Sequence, residues 1–165
     1  SGASFGFPEV MLGLHPGLGG TVRAPRLISP ITAMTMMLTG KTLDARKAKA
    51  AGLVDAVTEE RHVRNAVLAA VNGDLKLSKP GMLVTLLNSG LARPLLAKRM
   101  RSEARAKADP AQYPAPFALI DLWEKHGGDS RKTALAAELK SFSQLMVTKT
   151  AQNLVRVFFL RDRLK

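Results

Sequence analysis

The chain contains no cysteine, which removes disulfides, thiolate metal sites and thiol nucleophiles from consideration at once. Aromatic residues are scarce at 5%, with one Trp and one Tyr. Acidic residues are few, 13 Asp+Glu against 25 Lys+Arg, so the formal charge is +12. No apolar run approaches the ~20 residues of a membrane span. Residues 1–7 lack a basic stretch followed by an apolar one, so they do not read as a signal peptide. The three histidines, His15, His62 and His126, are scattered, and no pair has metal-ligand spacing. Each reads as a surface histidine or a satisfied structural one.

What is present suits a folded domain. The 165 residues are 46% hydrophobic, enough for a real core and too apolar for global disorder. The positive charge fits an anionic partner: a nucleic acid, a membrane surface or a phosphorylated small molecule. It equally fits a solvated basic face. The stretch Lys98-Arg99-Met100-Arg101, with Arg105 and Lys107, lacks the interleaved aromatics of a base-stacking surface, so no nucleic acid is expected there. The first residue is Ser rather than Met, and the last residues carry no helix terminator. The expectation is a segment of a longer chain, with Ser1-Gly2 as a cloning remnant.

Character changes near residue 75, from Gly/Pro-rich compact segments to longer, more charged helical stretches. Residues 4–8 alternate apolar and small side chains and predict a short strand ending at Pro8. Three glycines and a proline in residues 16–20 mark a tight turn, after which Thr21 is placed to cap a helix through Leu27, with Pro25 early in it. Residues 30–39 predict a helix ended by Gly40, with Ile31, Met34, Met37 and Leu38 on one stripe. Met34, Met36 and Met37 read as core filling. Asp44 caps residues 45–51, and Gly52 ends them. Residues 53–57 predict a strand, and residues 59–71 a helix burying Val63, Ala66, Val67 and Ala70. Residues 80–108 predict one or two helices broken at Gly90 and Pro94, and the prolines of residues 109–116 predict a loop. Helices over 117–126, 131–142 (capped by Asp129 or Ser130) and 150–160 complete the chain.

Two features carry chemistry. Glu9 leaves the strand towards an apolar run. A carboxylate in apolar surroundings has a raised pKa and exchanges protons near neutrality; the alternative is a solvent-exposed Glu at a strand end. The turn Pro16-Gly17-Leu18-Gly19-Gly20-Thr21 is not a P-loop, because no Gly-Lys-Ser/Thr follows, and it lacks the third glycine of the dinucleotide fingerprint. Its backbone N–H groups suit an anion or a polarised carbonyl, or the turn serves close packing.

Taken in order, Phe5-Gly6-Phe7-Pro8-Glu9-Val10, Leu12-Gly13 and Pro16-Gly17-Leu18-Gly19-Gly20-Thr21-Val22-Arg23 resemble the crotonase (enoyl-CoA hydratase/isomerase) superfamily. Leu38-Thr39-Gly40-Lys41, Ala45-Arg46-Lys47-Ala48 and Gly52-Leu53-Val54-Asp55 continue the likeness. Tyr113-Pro114-Ala115-Pro116, Glu138-Leu139-Lys140-Ser141-Phe142 and Phe158-Phe159-Leu160-Arg161-Asp162 resemble the connecting region of multifunctional fatty-acid oxidation α subunits. There the hydratase domain precedes a 3-hydroxyacyl-CoA dehydrogenase domain.

The resemblance implies a mostly α segment with a few short strands: part of a crotonase-type α/β domain over residues 1–75, then linker helices over 76–165. It implies that Glu9 is the second of two catalytic glutamates, and that Pro16, Gly17, Gly19 and Gly20 shape the substrate site. The first glutamate and the two oxyanion donors belong upstream of Ser4, so the isolated chain is expected to be inactive. The implied parent hydrates 2-enoyl-CoA, with isomerisation of 3-enoyl-CoA as an option, and then oxidises 3-hydroxyacyl-CoA. No cofactor is implied within this chain: coenzyme A comes with the acyl thioester substrate, and NAD belongs to the dehydrogenase domain. A thiolase β subunit is the implied partner, and cytoplasm the implied location in a bacterium, or the mitochondrial or peroxisomal matrix in a eukaryote. Loss of covering strands implies self-association. The alternative of another class is a stand-alone basic helical module that binds polyanions.

Overall fold

A computed structural model describes residues 2–164 of the chain. Strand β1 (Ser4–Phe5) pairs antiparallel with β2 (Leu43–Asp44), Ser4 opposite Asp44 and Phe5 opposite Leu43. The first strand is shorter than residues 4–8, because the chain turns at Pro8 into a 3-10 helix, Pro8–Leu12. Its partner is not the expected strand over residues 53–57, which are irregular. Leu53 instead packs against the main core from the loop that follows α3 (Ala45–Ala51).

Between these lie α1 (Gly20–Leu27) and α2 (Pro30–Thr39). Thr21 is not the cap of α1: Gly19 holds that place with φ of 87°. Pro25 lies inside the helix near its end, where an eight-residue helix loses little by it. Gly40 ends α2, and the Asp44 carboxylate accepts from Lys47 N at 2.8 Å to cap α3.

The segment beyond residue 58 corrects a further expectation. A short 3-10 turn (Glu60–His62) precedes α4 (Val63–Val71), and α4 buries nothing: Val63 is 47% and Val67 54% exposed. Residues 80–108 form two helices, α5 (Met82–Leu87) and α6 (Ala92–Arg105). The break falls at Gly90, while Pro94 sits in the first turn of α6 rather than breaking it, where its missing N–H has no intrahelical partner to lose.

The last helices run longer than expected. Helix α7 (Ala115–His126) starts with Pro116 in its first turn. Helix α8 (Arg131–Met146) is capped by Ser130, whose Oγ accepts from Thr133 N, and α9 (Lys149–Arg163) by Thr148. Ala151 is the buried residue of α9, whereas Phe158 and Phe159 are 54% and 59% exposed.

Two apolar clusters hold these elements. The larger joins Ile28 and the α2 methionines Met34, Met36 and Met37 to Ala97 of α6 and Leu119, Ile120 and Trp123 of α7. Burying one such large side chain contributes about 1.5–3 kcal/mol. Trp123 also donates its indole N–H to Asn88 Oδ1 at 3.0 Å, and Asn88 Nδ2 donates to Pro25 O at 2.6 Å, so α5 bridges α1 and α7. Arg101 joins α6 to α7 through Asp121 and Glu124. The smaller cluster gathers Leu14, Ala115, Leu145 and Ala151, with Leu12, Ala118 and Phe142 against it. It backs the Pro8–Leu12 turn with α7, α8 and α9. The whole is a mostly helical fold with one short two-stranded antiparallel sheet among the described residues.

Candidate functional site

Glu9 sits one residue into the 3-10 turn, and several bonds fix its backbone. Leu14 N donates to Glu9 O at 3.1 Å, and Gly13 N to Val10 O at 2.9 Å. The Tyr113 hydroxyl donates to the same Val10 carbonyl from the loop before α7. Burial pushes the Tyr113 hydroxyl pKa up, which keeps it protonated and donating. The Glu9 side chain is half-buried, and its Oε2 is shielded from solvent without a hydrogen-bond partner among the described residues. Buried polar atoms in native folds almost always find partners, so this carboxylate oxygen is an acceptor that no described residue uses.

The glycine turn is built by packing. A Cβ at Gly17 would lie 2.6–2.8 Å from three ring atoms of Phe142, and one at Gly20 would lie 2.7 Å from Pro16 Cβ and 3.1 Å from the Phe7 ring. Phe7 stands two residues before Glu9, so the turn abuts the segment that carries the carboxylate. The turn is also held from α8. Glu138, 1% exposed, accepts from Gly19 N at 2.6 Å, from Thr21 N at 3.1 Å and from the Thr21 hydroxyl. These amides open α1, so a carboxylate 117–119 residues away in sequence caps that helix in place of a local side chain.

His15 is a satisfied structural histidine, 1% exposed. Its Nδ1 lies 2.8 Å from the Pro16 carbonyl, which only accepts, so Nδ1 carries the proton and Nε2 accepts from Ser141 Oγ at 2.8 Å. Burial is the main cause of its lowered pKa, the neighbouring Glu138 acting against it. Glu138, Ser141 and Phe142 thus grip the turn together. They are spaced i, i+3, i+4 on α8, hence on one face. Sequence reading noticed these residues only as part of a resemblance; the polar residue inside an otherwise inward-facing stripe was the available sign. His62 is exposed, and His126 bonds Asp129 at 2.8 Å. No cluster of three metal-ligating side chains occurs among the described residues.

Comparison with known proteins follows the same lines. The family model for enoyl-CoA hydratase/isomerase matches residues 1–109. Among solved structures, the carnitinyl-CoA hydratase from Mycobacterium avium is similar at a TM-score of 0.55 and 24% identity, over 96% of this chain and 49% of that protein. The chain therefore spans about half the length of that hydratase, and shares its fold. From the family match and the geometry together, the chain belongs to the enoyl-CoA hydratase/isomerase family.

Proposed function

We propose that the chain supplies Glu9 as one of two carboxylates in the hydration of 2-enoyl-CoA thioesters. The observation that carries this is the buried, unpartnered Oε2 of Glu9 on a turn fixed by Leu14 N, Gly13 N and the Tyr113 hydroxyl. In this reading the pair holds one water. The water oxygen bonds to the β-carbon as one carboxylate takes its proton, and a carboxyl delivers a proton to the α-carbon. Between those events the thioester oxygen carries enolate charge, which two backbone N–H donors stabilise, at about 2.7–4 kcal/mol per donor in other enzymes. Pro16, Gly17, Gly19 and Gly20 act through shape: two donors of their turn already face Glu138. For the same reason the turn does not suit NAD.

The finer reading is that residues 1–75 close a hydratase domain and 76–165 are linker helices of a fatty-acid oxidation α subunit. That subunit carries an NAD-dependent 3-hydroxyacyl-CoA dehydrogenase, has isomerase activity as an option, and pairs with a thiolase β subunit. Its support is the ordered motifs Tyr113–Pro116 and Glu138–Phe142. The test is Glu9→Gln in the full-length protein. Hydration of crotonyl-CoA should fall by at least 100-fold while 3-hydroxyacyl-CoA oxidation persists; equal loss of both refutes a catalytic role. The isolated chain, with one glutamate of the pair, should not hydrate crotonyl-CoA, and measurable turnover would overturn the two-carboxylate assignment.

A further inference from the structure

No described residue bonds Oε2 of Glu9, so no hydrogen bond aims that oxygen. Its direction comes from the backbone of the Pro8–Leu12 turn. Leu14 N closes that turn by donating to Glu9 O at 3.1 Å. Whatever fixes Leu14 and its neighbour His15 therefore fixes the place from which the Glu9 side chain projects.

Helix α8 takes hold of both residues. Ser141 Oγ donates to His15 Nε2 at 2.8 Å, and Nδ1 on the opposite edge of the ring donates to Pro16 O at 2.8 Å. A ring bonded at both edges cannot swing without breaking one of the bonds. The Phe142 ring lies against it, centroids 6.0 Å apart at 61°. One turn further along α8, Leu145 shares a buried cluster with Leu14. Ser141 and Leu145 are spaced i, i+4, so one face of α8 meets two consecutive residues of the loop. The Leu145 contact is apolar and tolerates sliding, whereas the Ser141 bond is directional and sets where the loop stops. Burying two polar side chains among apolar ones costs free energy unless they bond each other, and what this bond returns is a fixed geometry. We infer that Ser141, acting through His15, is a positioning residue for the proposed hydration. It holds the closure between Leu14 and Glu9 in place, so that the carboxylate meets its water at bonding distance. The inference rests on the role proposed above for Glu9.

Steady-state hydration of crotonyl-CoA by the full-length protein tests it. A misplacement of about 1 Å can cost about 100-fold in rate, so Ser141→Ala should lower kcat by about tenfold or more. KM should stay within about twofold, because the bond orients the carboxylate rather than holding the substrate. Ser141→Thr keeps the hydroxyl and should regain most of the lost kcat. Ser141→Cys, a weaker donor, should fall between the two and serves as a second variant. A cycle with Glu9→Asp reads the coupling directly. Glu9→Asp draws the carboxylate back by one methylene, so adding Ser141→Ala to it should cost much less than the product of the two single effects. A role in stability alone would lower the urea midpoint and leave the rate effects multiplicative. The inference is overturned by an unchanged kcat in Ser141→Ala, by a rise in KM at constant kcat, by Ser141→Thr as slow as Ser141→Ala, or by multiplicative effects in the cycle. Glu9→Gln separates the two levels. If it retains hydration, the reading of Glu9 fails and takes this inference with it; if it abolishes hydration while Ser141→Ala is unaffected, only the positioning role is refuted.

Discussion

Glu138 is where one substitution should separate a capped turn from an uncapped one. Glu138→Ala removes the acceptor from Gly19 N and Thr21 N, which then open α1 as buried, unbonded donors. Hydrogen bonds to a charged acceptor contribute about 1.5–3 kcal/mol each, and the Thr21 hydroxyl can rotate to another acceptor. Two such losses sum to about 3–6 kcal/mol, offset in part because a buried carboxylate is costly to desolvate. We take about 4 kcal/mol. With a urea slope of about 2 kcal/mol/M, the unfolding midpoint should drop by about 2 M at unchanged slope. Glu138→Gln keeps one oxygen for Gly19 N and turns an amide N–H₂ towards Thr21 N, so it should cost about half as much, ~1 M. The assay is urea unfolding followed by the single Trp123 and by far-ultraviolet circular dichroism. A drop below about 0.3 M for Glu138→Ala, or equal drops for both variants, would refute the capping argument.

Other outcomes follow from the same contacts. Folding holds His15 neutral below its ordinary value of 6.5, so the unfolded chain binds that proton more readily. Its contribution is complete above pH 6.5 and is lost as pH falls from 6.5 towards the lowered native value. His15→Gln should flatten the change in urea midpoint between pH 7.5 and 5.5, and an unaltered slope would assign that pH dependence to other groups. Gly17→Ala should cost about 1–3 kcal/mol, because its Cβ meets the Phe142 ring at 2.6–2.8 Å. Combining it with Phe142→Ala should cost less than the sum of the two, as a double-mutant cycle would show. Val71, Met82 and Leu91 are 77%, 87% and 87% exposed, and light scattering should find a mass above that of one chain at high concentration. A clean monomer there would count against self-association.

Local rules carried the reading furthest where the signal was short-range. Asp44 before a helix and Gly40 after one are chemical punctuation, and both act as expected. The apolar spacing of α4 predicted a buried face that does not exist, because periodicity reports a capacity for burial and needs a neighbouring surface to realise it. Residues 53–57 have strand composition but do not join the Ser4–Phe5/Leu43–Asp44 pair, and Leu53 packs on the main core instead. Glu9 stood out as a candidate through the family resemblance of residues 5–23, its local context alone leaving a solvent-exposed strand-end Glu open. Its unpartnered oxygen was not legible, nor was the grip of Glu138 on the turn, because both depend on contacts between residues far apart in sequence.

The clasp between His15 and Ser141 has a kinetic side. It spans 126 residues, and the Tyr113 bond to Val10 spans 103. Closing a loop of that length costs about 4 kcal/mol of chain entropy before any contact repays it. The helices α6 and α7 can pair from nearby sequence, but the glycine turn beside Glu9 acquires its final shape only after α8 has come back to it. The segment around Glu9 and the glycine turn should therefore order late in folding and open early in amide exchange. A chain released from the ribosome would hold a hydrophobic core some time before it held a site.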